Sequence, residues 1–332
     1  MKIALYSAQP YDIQFFKEGN KSYDNEIVFF DCHLNSETVS LAQDCEVVCA
    51  FVNDDLSKET LVRLSEQGVK LVALRCAGFN NIDLTAASEI GIEVVRVPAY
   101  SPNAVAEYTI ALMLTLNRKT HKAYSRTKEG NFSIDGLMGF DLAGKTVGII
   151  GFGAIGSIVA NILKAFTCKV VVYDPYAKNI SKDFDSVSLT QLLKESDIIS
   201  LHCPLTPETK HLINDEAIGF MKKSVMLINA SRGAVIDTKA VVKALKSERI
   251  AYLGLDVYEE EADFFFEDLS NTIMHDDTLA RLLTFPNVLI TSHQGFFTRE
   301  AMQQIVSTTL ASIDDYANGV ELKNKVSNTA KN

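Results

Sequence analysis

The stretch Thr146-Val147-Gly148-Ile149-Ile150-Gly151-Phe152-Gly153-Ala154-Ile155-Gly156 joins an apolar run to three closely spaced glycines. The apolar run predicts a buried β-strand, and the glycine pattern directly after it predicts a turn into a helix. In this arrangement Gly151 allows a tight turn, Gly153 lets the backbone approach a pyrophosphate, and Gly156 lets the helix pack closely on its strand. The free N–H groups at a helix N-terminus favour an anion, so the stretch predicts a dinucleotide-binding unit.

The strand predicted after this unit indicates which dinucleotide fits. Residues 169–174 are rich in valine, and the run ends in Asp174, which lies 18 residues beyond Gly156. A carboxylate at that place accepts hydrogen bonds from the ribose of an adenosine and repels a 2′-phosphate. The sequence therefore predicts NAD as the cofactor, in preference to NADP.

Short β-branched runs alternate with helical stretches along the whole chain, which is typical of parallel α/β sheets. The first series of these runs fills the first hundred residues, and the second begins after residue 140. The predicted strands are 2–6, 26–30, 46–50, 70–74 and 93–96 in the first series and 146–150, 169–174, 198–203, 225–229, 251–256 and 288–291 in the second.

A dinucleotide-binding fold normally begins a domain, yet here it begins near residue 145. We therefore predict an α/β fold with two Rossmann-like or flavodoxin-like parallel-sheet domains and the active site in the cleft between them. Residues 1–100 and 297–332 form a discontinuous substrate (catalytic) domain, and residues 101–296 form the NAD-binding Rossmann domain. A long helix over 102–122 links the two, with Ser101 as its N-cap and Pro102 at its first position.

Composition excludes several classes of function. The chain has 332 residues, 47% of them hydrophobic, and a formal net charge of −10, which disfavours a nucleic-acid surface. It contains neither a signal-peptide core nor a run of about 18 apolar residues, so we expect no membrane partner. The six cysteines have no C-x-x-C spacing, and most lie in apolar runs, which favours reduced thiols in a cytoplasmic protein.

Three segments place polar residues at the ends of predicted strands, where ligands bind in such sheets. Arg232 follows strand 225–229, and a guanidinium there can grip a carboxylate and polarise a neighbouring carbonyl. His293 ends strand 288–291, and a histidine is a natural proton donor near neutral pH. The acidic run 259–261 could raise the pKa of that histidine by favouring imidazolium, but spacing does not choose among its three glutamates.

Together, these groups fit the reduction of a 2-keto acid. That reaction needs a hydride from NADH, a proton for the carbonyl oxygen and a cation for the carboxylate. Alone, the histidine and the carboxylates are more often structural than catalytic and the arginine is as often one as the other, so the prediction depends on their combination. The histidines and carboxylates have no close ligand spacing, and we expect no metal.

Several further blocks resemble one known family, the D-isomer-specific 2-hydroxyacid dehydrogenases, and most closely its bacterial fermentative D-lactate dehydrogenases. The resemblance runs from Met1 to about residue 322. The blocks are Phe51-Val52-Asn53-Asp54-Asp55, Leu74-Arg75-Cys76-Ala77-Gly78-Phe79-Asn80-Asn81, Val95-Arg96-Val97-Pro98-Ala99-Tyr100, His202-Cys203-Pro204-Leu205-Thr206, Ser231-Arg232-Gly233-Ala234, Leu255-Asp256-Val257-Tyr258-Glu259, Phe264-Phe265-Phe266-Glu267-Asp268 and Ser292-His293-Gln294.

The resemblance assigns roles that the residues alone leave open. It implies that Arg232 orients the substrate, that Glu261 supports the histidine, and that His293 is the acid/base. Many relatives have an apolar residue where this chain has Gln294. The substrate-binding residues implied are Phe51, Ala77, Gly78, Phe79, Tyr100, Arg232 and Phe296, and the cofactor-binding residues are Gly151, Gly153, Ala154, Ile155, Gly156, Asp174, Pro175, Cys203, Pro204, Thr209, Asn229, Ala230, Ser231, Asp256 and His293.

The function expected from this resemblance is the NADH-dependent reduction of pyruvate to D-lactate, by a homo-oligomer of at least two chains. The aromatic set of Phe51, Tyr100 and Phe296 suits a small uncharged side chain such as methyl. The alternative within enzymes is another D-2-hydroxy acid, such as hydroxyisocaproate or glycerate. The remote alternative is an NAD-binding corepressor, although the chain has only a short polar C-terminal segment, residues 323–332.

Overall fold

A computed structural model describes residues 1–177, 180–261, 265–266 and 268–326 of the chain. The chain divides into two compact units. The first consists of Met1–Ser101 and Phe297–Asn332, and the second is Pro102–Phe296. Among the predictions, those for residues 264, 267 and 327–332 lie outside the described residues.

The first unit is built on a five-stranded, all-parallel sheet with the strand order β2-β1-β3-β4-β5. Its central strands are buried along their whole length, as expected for parallel strands that are covered on both faces. Its strands are β1 (Lys2–Leu5), β2 (Glu26–Phe29), β3 (Val47–Ala50), β4 (Leu71–Leu74) and β5 (Glu93–Arg96), and its helices are α1 (Pro10–Gly19), α2 (Lys58–Glu66), α3 (Leu84–Ile90) and α11 (Arg299–Ala317).

The C-terminal segment of the first unit completes its core. Helix α11 packs on α1 and β4, and its Val306, Leu310 and Ile313 join the apolar cluster that contains Leu5 and Phe16. This face of the sheet is therefore assembled from the two ends of the chain.

The second unit is built on a seven-stranded parallel sheet with the order β12-β11-β10-β9-β6-β7-β8. Apolar clusters cover both faces of this sheet. Its strands are β6 (Thr146–Ile150), β7 (Lys169–Tyr173), β8 (Asp185–Ser186), β9 (Ile198–Leu201), β10 (Val225–Asn229), β11 (Ile250–Leu255) and β12 (Val288–Ile290), and its helices are α4 (Pro102–Arg118), α5 (Thr120–Lys128), α6 (Ala154–Ala165), α7 (Leu189–Glu195), α8 (Asp215–Phe220), α9 (Thr238–Lys246) and α10 (Asp277–Thr284).

The predicted strands are present in both units, with ends that differ by one or two residues. The short edge strand β8 was missed, because two exposed polar residues carry no hydrophobic pattern. No helix within the described ranges is long and apolar enough to cross a lipid bilayer.

The prediction of one helix over 102–122 is wrong. Helix α4 ends at Arg118, and Lys119 has a left-handed backbone with φ 50°, after which α5 begins at Thr120. The break coincides with two contacts to the following loop. The Asn117 side chain exchanges hydrogen bonds with the backbone of Phe140 at 2.7 and 2.9 Å, and Lys119 Nζ donates to the carbonyl of Gly136 at 2.7 Å. These tertiary bonds outweigh the local helix propensity.

Candidate active site

The glycine turn between β6 and α6 has the shape that a pyrophosphate requires. Gly151 has φ +93°, and a Cβ there would lie 2.6 Å from the backbone of His202. A Cβ on Gly156 would lie 2.0 Å from the carbonyl oxygen of Gly151, so the helix can approach the turn only without one. Beside Gly153, by contrast, a Cβ would meet nothing within 4 Å. This space lies at the N-terminus of α6, next to Ala154 and Ile155, so the turn fits a dinucleotide phosphate.

Asp174 is fixed at the end of β7 by backbone donors from two segments. Its Oδ2 accepts from the N–H of Phe152 in the glycine turn at 2.7 Å. Its Oδ1 accepts from the N–H groups of Tyr176 and Ala177 at 2.8 and 3.1 Å. Pro175, between Asp174 and Tyr176, is exposed. An ionised carboxylate has about four acceptor sites, so Asp174 keeps the capacity to accept from a ribose hydroxyl.

The loop after β9 contains three of the predicted cofactor residues. Thr209 Oγ1 donates to the carbonyl oxygen of Pro204 at 2.6 Å and accepts from the N–H of Thr206 at 2.8 Å, so it closes the turn from 204 to 209. Burial raises the pKa of the Cys203 thiol to about 11, which keeps it protonated near neutral pH. Because only the thiolate is nucleophilic, Cys203 is a weakly polar side chain of this loop and not a nucleophile.

His202, directly after the same strand, is desolvated beside the glycine turn. Burial lowers its pKa from 6.5 to about 4, so the ring is neutral at neutral pH. The ring nitrogen Nε2 lies 2.9 Å from Ser200 Oγ. Because the unfolded chain protonates this histidine near its ordinary pKa, the unfolded state binds more protons between pH 6.5 and 4.

We expect His202 to make the protein less stable in mild acid. Its contribution is fully present above pH 6.5 and is lost as the pH falls towards 4, with an upper limit of about 3 kcal/mol. The measurement is the free energy of unfolding by urea from pH 7.5 to 4, for wild type, His202→Gln and the exposed control His275→Gln. The glutamine at 202 should flatten the decline, whereas equal slopes for all three proteins would contradict this prediction.

The loop after β10 carries Arg232 and is shaped by Asn229. The buried Asn229 side chain accepts from the N–H and the hydroxyl of Ser231 at 3.0 and 2.8 Å, and it donates to the carbonyl of Arg232 at 2.9 Å. Ala230 between them is partly buried. The Arg232 guanidinium is also partly exposed and donates to the carbonyl of Ser231 at 2.7 Å. The loop thus fixes the backbone of Arg232 and leaves its guanidinium donors available to an anion.

Glu261 and His293 meet in the second unit. His293 Nδ1 lies 2.9 Å from Glu261 Oε1, and Glu261 Oε2 accepts from the N–H of Tyr258 at 2.9 Å. Because an ionised carboxylate can only accept hydrogen bonds, Nδ1 carries the proton of this bond. This bond occupies Nδ1, so the Glu261 contact does not involve the other ring nitrogen, Nε2. Of the three adjacent glutamates, Glu260 is exposed and Glu259 pairs elsewhere, so the geometry distinguishes what spacing could not.

Asp256, which the resemblance places among the cofactor residues, has a visible structural task. Its carboxylate accepts from Thr291 Oγ1 at 2.6 Å and from the N–H groups of Gln294 and Gly295 at 3.0 and 2.8 Å. Its backbone carbonyl accepts from the N–H of His293 at 2.7 Å. His293 itself has a left-handed backbone with φ 53°, which a non-glycine residue adopts at a cost of about 1 to 2 kcal/mol. The buried Asp256 therefore holds the histidine in a conformation that the chain disfavours.

Two aromatic rings flank His293 in the same unit. The Phe296 ring lies 6.5 Å from the imidazole, edge to face, and the Phe266 ring lies 5.9 Å away at a tilt of 35°. Phe296 is a predicted substrate residue, whereas the position of Phe266 beside the histidine was not predicted. Its only signal in the sequence is its place in the aromatic block that carries the resemblance.

Apart from Arg232, the remaining predicted substrate residues belong to the first unit, where they follow the carboxyl ends of its strands. Phe51 follows β3, its N–H donates to Asp54 Oδ2 at 2.6 Å, and the Arg75 guanidinium lies 4.6 Å from its ring centroid. Tyr100 follows β5 and is half-buried. These residues share one edge of the sheet, which is where parallel α/β sheets bind ligands.

Ala77, Gly78 and Phe79 form the loop after β4. Arg96 organises this loop, because its Nη1 donates to the carbonyl of Ala77 at 2.7 Å and its guanidinium lies 4.7 Å from the Phe79 ring centroid. Within the described ranges, none of the three N–H groups of the loop donates to a backbone carbonyl. They are suited to bind a carboxylate.

Comparison with known proteins finds relatives over nearly the whole chain. Residues 110–295 match the family described as D-isomer specific 2-hydroxyacid dehydrogenase, NAD binding domain. The D-lactate dehydrogenase of Escherichia coli is 50% identical over 328 residues, 98% of this chain and 100% of that protein. Its apo structure superposes with a TM-score of 0.90 and 47% identity, over 98% and 100% of the two chains. The pyruvate reductase of Chlamydomonas reinhardtii gives a TM-score of 0.91 at 42% identity, over 98% of each chain.

The chain belongs to the D-isomer specific 2-hydroxyacid dehydrogenases, which are NAD-dependent oxidoreductases. The matched NAD-binding region lies within the second unit, which also carries the glycine turn and Asp174. The predicted family, the pair of parallel-sheet domains and the NAD cofactor are thereby confirmed. The roles of the individual site residues stay predictions.

Proposed function

We propose that this enzyme reduces pyruvate to D-lactate. The observation that carries the proposal is the Glu261–His293 pair at 2.9 Å in a chain 50% identical, over nearly its full length, to a D-lactate dehydrogenase. The pair supplies a proton donor that is held by a carboxylate, and Arg232 supplies the cation for a keto acid.

The proposed reaction assigns one task to each of these side chains. The glycine turn and Asp174 would hold NADH, which when bound would supply the hydride for the keto carbon. His293 Nε2 donates a proton to the carbonyl oxygen, while Glu261 accepts the Nδ1 hydrogen bond and stabilises the imidazolium before transfer. Arg232 binds the substrate carboxylate and polarises the carbonyl. In the direction of oxidation, neutral His293 takes the hydroxyl proton.

We assign the choice of a small substrate to the first unit. The N–H groups of Ala77, Gly78 and Phe79 are suited to bind the substrate carboxylate. The rings of Phe51 and Tyr100 favour a small side chain such as methyl over a long one. This assignment rests on the N–H groups of the loop after β4, which donate to no backbone carbonyl in the described part of the chain, and on the positions of Phe51 and Tyr100 at the same sheet edge.

A panel of keto acids tests the substrate. We expect pyruvate to oxidise NADH with the highest kcat/KM among pyruvate, glyoxylate, hydroxypyruvate and 2-ketoisocaproate, and chiral chromatography to identify the product as D-lactate. NADPH should be a poor donor because of Asp174. A preference for 2-ketoisocaproate or hydroxypyruvate would favour the alternative, another D-2-hydroxy acid, and an L product would contradict the proposal.

We also propose that the enzyme is a cytoplasmic homo-oligomer of at least two chains. The segment between α5 and β6 supports self-association, because it exposes three large apolar side chains: Phe132, Ile134 and Met138, which are 78%, 81% and 85% exposed. A second copy of the same segment would cover them and bury apolar area from water. The cytoplasmic location is supported by the six cysteines, none of which forms a disulfide.

Polar substitutions in this segment should dissociate the oligomer. The double variant Phe132→Ser/Ile134→Ser is expected to have a lower mass than wild type by size-exclusion chromatography with light scattering, at micromolar concentration. The control is Ile273→Ser, since Ile273 is 77% exposed but lies elsewhere on the second unit. An unchanged mass for the double variant would place the interface outside this segment.

A further inference from the structure

A second histidine–glutamate pair involves Glu259, which lies two residues before Glu261 in the sequence. His211 Nε2 lies 2.5 Å from Glu259 Oε1, and the other carboxylate oxygen of Glu259 accepts from Thr238 Oγ1 at 2.9 Å. Because the carboxylate can only accept, His211 donates through Nε2. Neither residue has a part in the proposed reaction, so the pair needs a separate explanation.

The backbone of His211 is attached to the loop that carries Arg232. Its N–H donates to the carbonyl of Ala234 at 2.8 Å, and two residues later Ile213 donates to the carbonyl of Val235 at 3.1 Å. His211 has a left-handed backbone with φ 53°, so it pays a conformational cost to make both attachments. A single residue therefore binds the Arg232 loop with its main chain and the Glu261 segment with its side chain.

The two attached segments also touch each other directly. A Cβ on Gly233 would lie 2.0 Å from the carbonyl oxygen of Tyr258 and 2.4 Å from the nitrogen of Glu259. This contact prevents the segments from moving closer, and the hydrogen bonds of His211 resist their separation. Between them, the contact and the hydrogen bonds fix the spacing of two segments that carry Arg232 and Glu261.

Magnitudes indicate that the pair matters more for position than for stability. The His211 and Glu259 side chains are 37% and 24% exposed, and ion pairs with such access to water contribute about 1 kcal/mol or less. A displacement of about 1 Å in a catalytic group, however, can lower a rate by about 100-fold. The His211–Glu259 hydrogen bond, called the tether below, therefore contributes little to stability. It is nevertheless sufficient to hold the Arg232 loop and the Glu261 segment at a fixed spacing.

We propose that His211 is a positioning residue for the hydroxy-acid chemistry, acting through Glu259 on Glu261 and through Ala234 on Arg232. The inference rests on the proposed function for its activity readout. Glu259 is its partner and Thr238 fixes the second oxygen of that partner, so the three side chains form one positioning cluster.

The decisive variant is His211→Asn. Asparagine tolerates the left-handed backbone, but its side chain is too short to reach Glu259. We expect kcat for keto-acid reduction to fall by about 10- to 100-fold, while the dissociation constant for NADH, measured by fluorescence, changes by less than about twofold. His211→Gln, whose longer amide can reach the carboxylate, should recover most of the loss. The double variant with Glu259→Gln should be no worse than the more damaged single variant.

A matched control separates positioning from loss of an ion pair. Lys222→Met breaks the bond from Lys222 Nζ to Asp197 Oδ1, which is 2.8 Å long and has side chains 41% and 33% exposed, close to those of the proposed pair. This variant should lose a similar amount of stability in urea and keep its kcat. If His211→Asn and Lys222→Met retain the same kcat, His211 is only structural and the proposal is overturned.

Hydrogen–deuterium exchange tests the tether without any substrate. In His211→Asn, peptides that cover residues 230–236 and 256–261 should exchange faster, and the peptide over the glycine turn, 146–156, should not change. The exchange rates test the tether even if the wild type reduces no keto acid. That absence of activity would refute only the proposed function. Unchanged exchange in both peptides would refute the tether. If His211→Asn does not fold, Glu259→Gln gives the same two readouts.

Discussion

Replacing His293 with asparagine should lower kcat for keto-acid reduction by about 100- to 10,000-fold, the contribution of a positioned general acid. Asparagine suits the left-handed backbone at this position, so the loop held by Asp256 should keep its shape. The amide cannot exchange a proton near neutral pH, and the reaction loses its donor. Steady-state kcat and the dissociation constant for NADH are the measurements, and the latter should change by less than about threefold.

Two companion variants locate the cause of this loss. His275→Asn changes an exposed histidine of the same unit and should retain wild-type kcat. Glu261→Gln keeps an acceptor for Nδ1 but removes the charge that stabilises imidazolium, so it should give an intermediate loss. Near-normal turnover in His293→Asn would remove this histidine from the mechanism.

Replacing Arg232 with glutamine should lower kcat/KM for pyruvate by about 30- to 3,000-fold, because breaking a desolvated charge pair costs about 2 to 5 kcal/mol. The loss should appear in both KM and kcat, since the guanidinium binds the carboxylate and polarises the carbonyl. Arg232→Lys restores the charge without the planar pair of donors, so it should recover only part of the loss.

The control for Arg232 is Arg281→Gln, which removes an exposed guanidinium from α10 at no predicted site. Initial rates over a range of pyruvate concentrations, with NADH saturating, separate the two parameters. A rise in KM with unchanged kcat would limit Arg232 to binding and exclude its effect on the carbonyl.

The parts of the fold that the sequence predicts are those set by short-range patterns. The glycine turn follows from local steric requirements, since Gly151 has a positive φ and Gly156 has no space for a Cβ. Asp174 follows from its place at the end of the next strand. The buried parallel strands appear as continuous apolar runs, because they are covered on both faces. The order of strands within each sheet depends on contacts between distant segments, so the hydrophobic periodicity of the sequence does not predict it.

The parts that the sequence could not predict depend on contacts between distant segments. The break after Arg118 accompanies hydrogen bonds from Asn117 to a loop more than twenty residues away. Three adjacent glutamates look alike in the sequence, yet Glu259 and Glu261 bind different histidines because their side chains lie beside different loops. Resemblance to relatives indicated Glu261, whereas His211 carried no signal in any motif.

The return of α11 to the first unit has a consequence for synthesis. The apolar face formed by Leu5, Phe16 and their neighbours is covered by Val306, Leu310 and Ile313, which leave the ribosome only after the entire second unit. At roughly 5 to 20 residues per second, that interval lasts on the order of 10 to 40 s. The second unit is continuous in sequence and can finish folding during this time. The first unit keeps an exposed apolar surface until α11 has been synthesised. Nascent chains halted before residue 300 should therefore recruit holding chaperones through the N-terminal unit.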